Sequence, residues 1–212
     1  MKSSIAEVAS PSNVAFFDQY AKAGMVGLVG GARGVDATIR KAQRKLVPDG
    51  SWSDFSHAFV VVGAREDGHV WCLESDIELL RERVRIGVQE NRVEKYADAA
   101  SYPRVAVLDF GLTAAQTKKV LGVGLDLLAR RTQYSLREIL GAYWSLRKPS
   151  RRRDENALAQ ERAMFCSAFV QHLFLEVGID FAPDVATKLT LPHDIAMTPV
   201  PHRAWVRRAR GV

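Results

Sequence analysis

Apolar positions recur at helical spacing near the start of the chain, at Val14, Phe17 and Tyr20–Ala21, and predict a helix over Asn13–Ala23. Val35 to Leu46 reads as a basic amphipathic helix, closed by the turn Pro48-Asp49-Gly50. From Ser56 the period changes. His57–Gly63 is a continuous apolar, β-branched run, the signature of a buried strand. Arg65-Glu66-Asp67-Gly68 is a hairpin turn, and His69–Glu74 is the return strand. Arg83–Gln89 alternates charged and apolar residues, as a half-exposed strand does, and Arg104–Phe110 is a fourth strand. A long helix is predicted over Thr113–Arg130, with Thr113 and Gln116 forming a capping box. Ser135–Leu146 is a further helix, and Ala163–Val177 is an apolar one that Gly178 can end. His202–Arg208 reads as a last, edge strand.

Between the first two helices lies Gly24–Gly34, with five glycines. No Gly-Lys-Ser/Thr follows, so a phosphate loop is a weak reading. Close backbone packing or a flexible surface segment accounts for it more simply.

Composition narrows the classes. With 212 residues, 47% hydrophobic and 25% charged, the chain has the balance of a globular domain rather than a disordered one. The division expected is one domain over 1–212, with a helical and glycine-rich region at 1–55 ahead of the strand-and-helix core at 56–199. No apolar run approaches the ~18–20 residues of a membrane helix. The N-terminus has no apolar core of the Sec type, so the expected location is cytoplasmic, or outside the cell by a signal-independent route. Two cysteines, Cys72 and Cys166, make no disulfide framework and no zinc-binding Cys-x-x-Cys pair. No metal or other cofactor is expected.

The net charge of +6 is uneven. Arg147, Lys148, Arg151, Arg152 and Arg153 fall in one short stretch, and Arg203, Arg207, Arg208 and Arg210 lie near the end. An anionic partner such as phospholipid or a cell-wall polymer fits this pattern. A solvated loop and a frayed tail fit it too. No aromatic platform interleaves the arginines, so nucleic acid is not expected.

The chemistry that remains is a thiol. No Gly-x-Ser-x-Gly elbow and no His-Glu-x-x-His is present. If the apolar helix starts near Met164, Cys166 lies in its first turn, where unpaired N–H groups favour a thiolate and can hold an oxyanion. A buried structural cysteine is the plainer reading of that residue alone. His57, opening a buried strand, is an unusual place for a lone imidazole and can take the proton from a thiol. The tight turn makes the two strands antiparallel, so Glu74 can approach His57 and fix its tautomer. Asp76 could substitute. Cys72 shares the Glu74 face and is read as core packing in the same helix–sheet interface as Cys166.

These residues sit in segments that resemble the circularly permuted papain-fold cysteine hydrolases, the YiiX-like and NlpC-related group, with the lecithin:retinol acyltransferases as more distant relatives. Ser56-His57-Ala58-Phe59-Val60-Val61-Val62 resembles the family's histidine strand. Leu73-Glu74-Ser75 resembles the segment carrying its third catalytic group, and Phe165-Cys166-Ser167-Ala168-Phe169-Val170 its nucleophile helix. Val105–Leu112 with Thr113-Ala114-Ala115-Gln116, Thr132-Gln133-Tyr134-Ser135-Leu136, and Leu191-Pro192-His193-Asp194-Ile195-Ala196 follow in the family's order. The resemblance covers about Ser56 to Pro199. The family's N-terminal Gly-Asp strand is not recognisable, and the acyltransferases' Asn-Cys-Glu-His-Phe motif is absent.

The fold expected is α+β, an antiparallel sheet with a partly barrel-like twist packed against the nucleophile helix. The resemblance implies thiol-dependent amide hydrolysis by Cys166, His57 and Glu74, with Tyr134 lining the site. Its substrate would be a peptide, cell-wall peptide stems first, as for an exported antibacterial effector. Arg151, Arg152 and Arg153 could meet an anionic surface. A lipid hydrolase or acyltransferase, a protein deamidase, and a binding module with a decayed site are the alternatives.

Overall fold

The computed structural model describes residues 3–51, 53–80, 83–130 and 166–209. Tyr134, the helix expected over Ser135–Leu146, the arginine run from Arg147 to Arg153 and the start of the Ala163–Val177 helix lie outside the described residues.

One mixed sheet organises the chain. Its strands are β1 (Ser4–Glu7), β2 (Val26–Gly30), β3 (His57–Ala64), β4 (Val70–Leu80), β5 (Arg83–Arg92), β6 (Arg104–Asp109) and β7 (Arg203–Arg208). Their order is β1-β7-β6-β2-β3-β4-β5. Every neighbouring pair is antiparallel except β1 and β7, which run parallel. Five α-helices accompany it among the described residues: α1 (Asn13–Tyr20), α2 (Gly34–Ala42), α3 (Ala114–Ala129), α4 (Cys166–Leu175) and α5 (Pro192–Ala196).

Two apolar cores lie on opposite faces, because alternate residues of each strand point to opposite sides. On one, Phe169, Val170, Leu173 and Phe174 of α4 pack on Leu28, Ala58, Val60 and Leu73. On the other, Phe16 and Phe17 of α1 pack with Val29, Phe59, Val61, Cys72 and Tyr96.

The local signals hold where they were strongest. Thr113 caps α3 by accepting from the Gln116 N–H, while Gln116 accepts from the Thr113 N–H at 3.0 Å. The α4 helix ends at Gly178, whose φ of +79° lets the Ile179 N–H turn back onto the Phe174 carbonyl at 3.0 Å. The Arg65–Gly68 turn closes β3 onto β4, with Gly68 at φ +75°.

Four expectations change. The glycine-rich stretch contains β2, a fully buried strand between β6 and β3. Its glycines answer to close packing: a Cβ at Gly27 would stand 2.1 Å from the Phe59 ring, and one at Gly30 would stand 1.9 Å from the Asp54 carbonyl oxygen. The β7 strand is not an edge, since β1 covers it. That parallel pairing makes the sheet mixed rather than antiparallel throughout. The β4–β5 hairpin extends to Leu80 and Arg83, well past the strand end expected at Glu74.

Candidate functional site

The start of β3 is anchored before its chemistry begins. Ser56 donates from its hydroxyl to the Val29 carbonyl at 3.2 Å and accepts from the Gly31 N–H at 3.0 Å. His57 is the next residue, opposite Val29 in the ladder, so its ring stands at the end of the sheet. Glu74 pairs with Phe59 across β3 and β4, which puts it on the His57 face. The His57 Nε2 and a Glu74 Oε2 oxygen are 2.7 Å apart, with the carboxylate fully buried and the imidazole nearly so.

The other side of the imidazole meets Cys166. The described part of α4 begins with this half-buried residue, and its sulfur lies close enough to raise the His57 imidazolium. Since Nε2 is engaged by Glu74, Nδ1 is the nitrogen left for sulfur. Ser167 fixes this end of the helix by donating to the Thr190 carbonyl at 2.6 Å. The helix packs on the face opposite to His57 and Glu74. Cys166 therefore meets the histidine around the end of the sheet, at the first residue of β3.

Cys72 is placed differently from the expectation. It is buried on the α1 face, not in the α4 interface, and its thiol donates to the Asn91 carbonyl at 3.4 Å. The expectation failed because Cys72 and Glu74 do share a face, but the helix carrying Cys166 covers the other one. Burial, then the neighbouring Glu74 charge, pushes the Cys72 thiol well above its ordinary value, which leaves it an inert thiol.

Three residues not anticipated from sequence complete the site. The turn of 3-10 helix at Val93–Tyr96, after β5, delivers Lys95 and Tyr96 onto Glu74. Lys95 donates to Glu74 Oε1 at 2.7 Å and to Asp76 Oδ2 at 2.8 Å. Asn91 donates to the same Oε1 at 2.7 Å. The Tyr96 hydroxyl donates to Oε2, and its ring stacks on Phe59 at 5.4 Å and 4°. Asn13 of α1 holds the turn in place by donating to the Tyr96 carbonyl at 2.8 Å. Gln89 faces Glu74 across the β4–β5 ladder, fully buried, and neither end of its amide has a partner.

The electrostatics follow from this packing. Burial pulls the His57 imidazolium down, but the nearby Cys166 sulfur, then Glu74, hold it well above its ordinary value. Burial raises the Glu74 carboxyl, but the hydrogen bond and charge of His57, then Lys95, bring it below the usual carboxylate range. Burial opposes the Lys95 charge, yet Glu74 and Asp76 raise that ammonium above its ordinary value. Asp76 does not replace Glu74 on the ring; it shares Lys95 with it.

His57, Glu74 and Asp76 are also the set of described residues whose ligand atoms, all within 4.8 Å of one another, could surround a cation. Glu74 has little to offer one. Its two oxygens accept from four donors, His57, Asn91, Lys95 and Tyr96, which fills its roughly four lone-pair positions.

No family model and no curated protein matches the chain. Among solved structures, it is similar to the crystal structure of the metalloprotein yiiX from Escherichia coli O157:H7. The TM-score is 0.52 at 10% identity, covering 86% of this chain and 95% of that one. The likeness is one of fold: this chain has a YiiX-like α+β architecture.

Proposed function

We propose that this YiiX-like chain is a cysteine hydrolase of the permuted papain, NlpC-related type, using Cys166, His57 and Glu74 to cleave an amide bond. The observation that carries the reading is the buried His57 imidazole, held by Glu74 at 2.7 Å on one nitrogen, with the Cys166 sulfur near enough to favour its charged form. A nucleophile, a base and an orienting carboxylate in that sequence are what thiol acyl transfer requires.

The Cys166 sulfur adds to the substrate carbonyl while His57 holds the proton that sulfur gave up. His57 passes that proton to the leaving amine as the carbon–nitrogen bond breaks, leaving a thioester on Cys166. Water, deprotonated by His57, then releases the acid and restores the thiol–imidazole pair. Glu74 stays ionised throughout and fixes the ring's orientation. Metal chemistry has no part in this reading, although the similar solved structure is named a metalloprotein: the Glu74 lone pairs are taken by four donors, and an ammonium bridges Glu74 to Asp76.

The substrate class is a peptide, with cell-wall peptide stems first. Digestion of muropeptides followed by mass spectrometry tests it: fragments released by the wild type and absent with Cys166→Ala support it, and intact muropeptides sink it. A second reading, an acyl-ester hydrolase, draws on a half-open, mostly apolar cavity of about 290 Å³ lined by Leu28, Phe55, Ala106 and Leu108 with Asp54 and Arg208, though Cys166, His57 and Glu74 do not line it. Release of fatty acid from vesicles in the same assay would select it.

A further inference from the structure

We infer that Lys95 is a built-in cation, placed where a divalent ion would otherwise bind, and that it keeps His57 and Glu74 free of metal. Two carboxylates and an imidazole with ligand atoms all within 4.8 Å form a mixed nitrogen–oxygen donor set of the kind that divalent transition metals take. Two buried or half-buried anions so close need a positive charge between them. Here the chain supplies it covalently. The Lys95 ammonium lies 2.7 Å from Glu74 Oε1 and 2.8 Å from Asp76 Oδ2, with its side chain 22% exposed. By holding Oε1 it also leaves Oε2 turned to the His57 ring, so one group both neutralises the pair and orients it.

The lysine's own place is fixed. It lies in the turn that Asn13 ties to α1, beside Tyr96, whose ring it approaches at 5.3 Å. A metal entering the cluster would have to displace this ammonium and one of the Glu74 hydrogen bonds. It would also take the Nε2 of His57, the nitrogen that Glu74 must hold if the ring is to serve Cys166. Exclusion of metal is therefore what a metal-free thiol site on this sheet needs. The inference rests on the cluster alone and stands whether or not the site cleaves an amide.

The test is a metal titration in a Cys166→Ser background, which removes the thiol as a competing ligand. Zn²⁺ and Co²⁺ are titrated by calorimetry, and Co²⁺ also by its visible absorption, into C166S, C166S/D76N, C166S/K95A, C166S/K95Q and C166S/K95A/D76N. With Lys95 present, no binding that depends on Asp76 is expected. Without it, a single site appears, at least about tenfold tighter than any binding to C166S, and Asp76→Asn removes it. If the alanine variant folds poorly, Lys95→Gln keeps most of the side chain's reach without its charge, and a Zn²⁺-dependent rise in melting temperature reads the same site. The inference is overturned if C166S itself binds either ion in a manner lost on Asp76→Asn. It is equally overturned if the folded Lys95 variants bind no more tightly than C166S. Muropeptide cleavage enters neither result, so failure of the amide-hydrolase reading and failure of this one are separate observations.

Discussion

Two histidine–glutamate pairs lie near the two ends of the β3–β4 hairpin, and only one has the makings of a site. His69 Nδ1 and Glu94 Oε1 meet at 2.5 Å near the β3–β4 turn, with both side chains about a third exposed. His57 and Glu74 meet at 2.7 Å at the other end of β3, nearly or fully buried. The pair distance does not separate them; the surroundings do. Around Glu74 stand Asn91, Lys95 and Tyr96, each donating to the carboxylate, and a sulfur waits beyond the ring. The outer pair is open to solvent on the histidine side, which weakens its charge interaction, although Glu94 Oε2 is itself buried without a partner. Burial is what makes His57 and Glu74 depend on each other, and the outer pair lacks it.

The largest expected effect breaks the buried pair. Glu74→Ala leaves Lys95 and His57 facing each other without their anion and should cost about 3–5 kcal/mol in urea unfolding, whereas Glu94→Ala should stay within about 0.5 kcal/mol of the wild type. Equal costs would erase the distinction between the pairs.

The pH dependence sharpens it. Glu74 is held below its ordinary value, so it contributes stability that is complete above about pH 4.3 and is lost as pH falls through the lower folded value. His57 is held above its ordinary value, so its contribution is complete below about pH 6.5 and fades as pH rises through the folded value. Relative to wild type, Glu74→Gln should therefore converge in stability at acid pH and His57→Gln at alkaline pH, measured by chemical denaturation across the range. By NMR, Cys166→Ser should lower the His57 titration midpoint more than Glu74→Gln does, because sulfur is the larger of the two raising influences.

A smaller contrast concerns the two thiols. Cys72→Ser keeps a donor toward the Asn91 carbonyl and should cost about 1 kcal/mol while leaving carboxamidomethylation by iodoacetamide intact. Cys166→Ser should abolish that labelling with little change in stability. Labelling that survives at Cys72 would assign the reactive thiol to the wrong face.

The smallest effect is expected at Gln89. Its amide is buried without a partner, which is a standing cost, so Gln89→Leu should be neutral or gain about 1 kcal/mol in the same unfolding assay. A loss would mean that the amide has a role beside Glu74 that packing alone does not show.

The parts of the site that could be read from sequence are those fixed by local rules. A tight turn makes its flanking strands antiparallel, so His57 and Glu74 could be brought together from spacing alone. The capping box at Thr113 and the stop at Gly178 are local in the same way. What could not be read depends on partners far along the chain. Asn91, Lys95 and Tyr96 reach Glu74 through the β4–β5 register, and that register needs β4 to run on to Leu80, where charged and apolar residues mix. Their signal was a lysine beside a tyrosine directly after a strand, which is legible only once the hairpin length is known. The face of the sheet that α4 covers is equally non-local, and so Cys72 was assigned to the wrong core. β2 escaped because glycines lower strand propensity, and only the Phe59 ring and the Asp54 carbonyl explain why they are there.

The pairing of β1 with β7 joins Ser4–Glu7 to Arg203–Val206, so the first strand of the chain waits for the last. During synthesis the ribosome will have released β2 to β6, and with them His57, Glu74 and Lys95, long before β7 exists. For that interval the β6 edge is an unpaired strand of apolar residues, Val105 to Leu108, open to any other nascent chain. Cys166 also emerges before that edge is closed. The chemistry of the site can thus assemble on a sheet whose seam stays open until β7 pairs with β6 and β1 with β7.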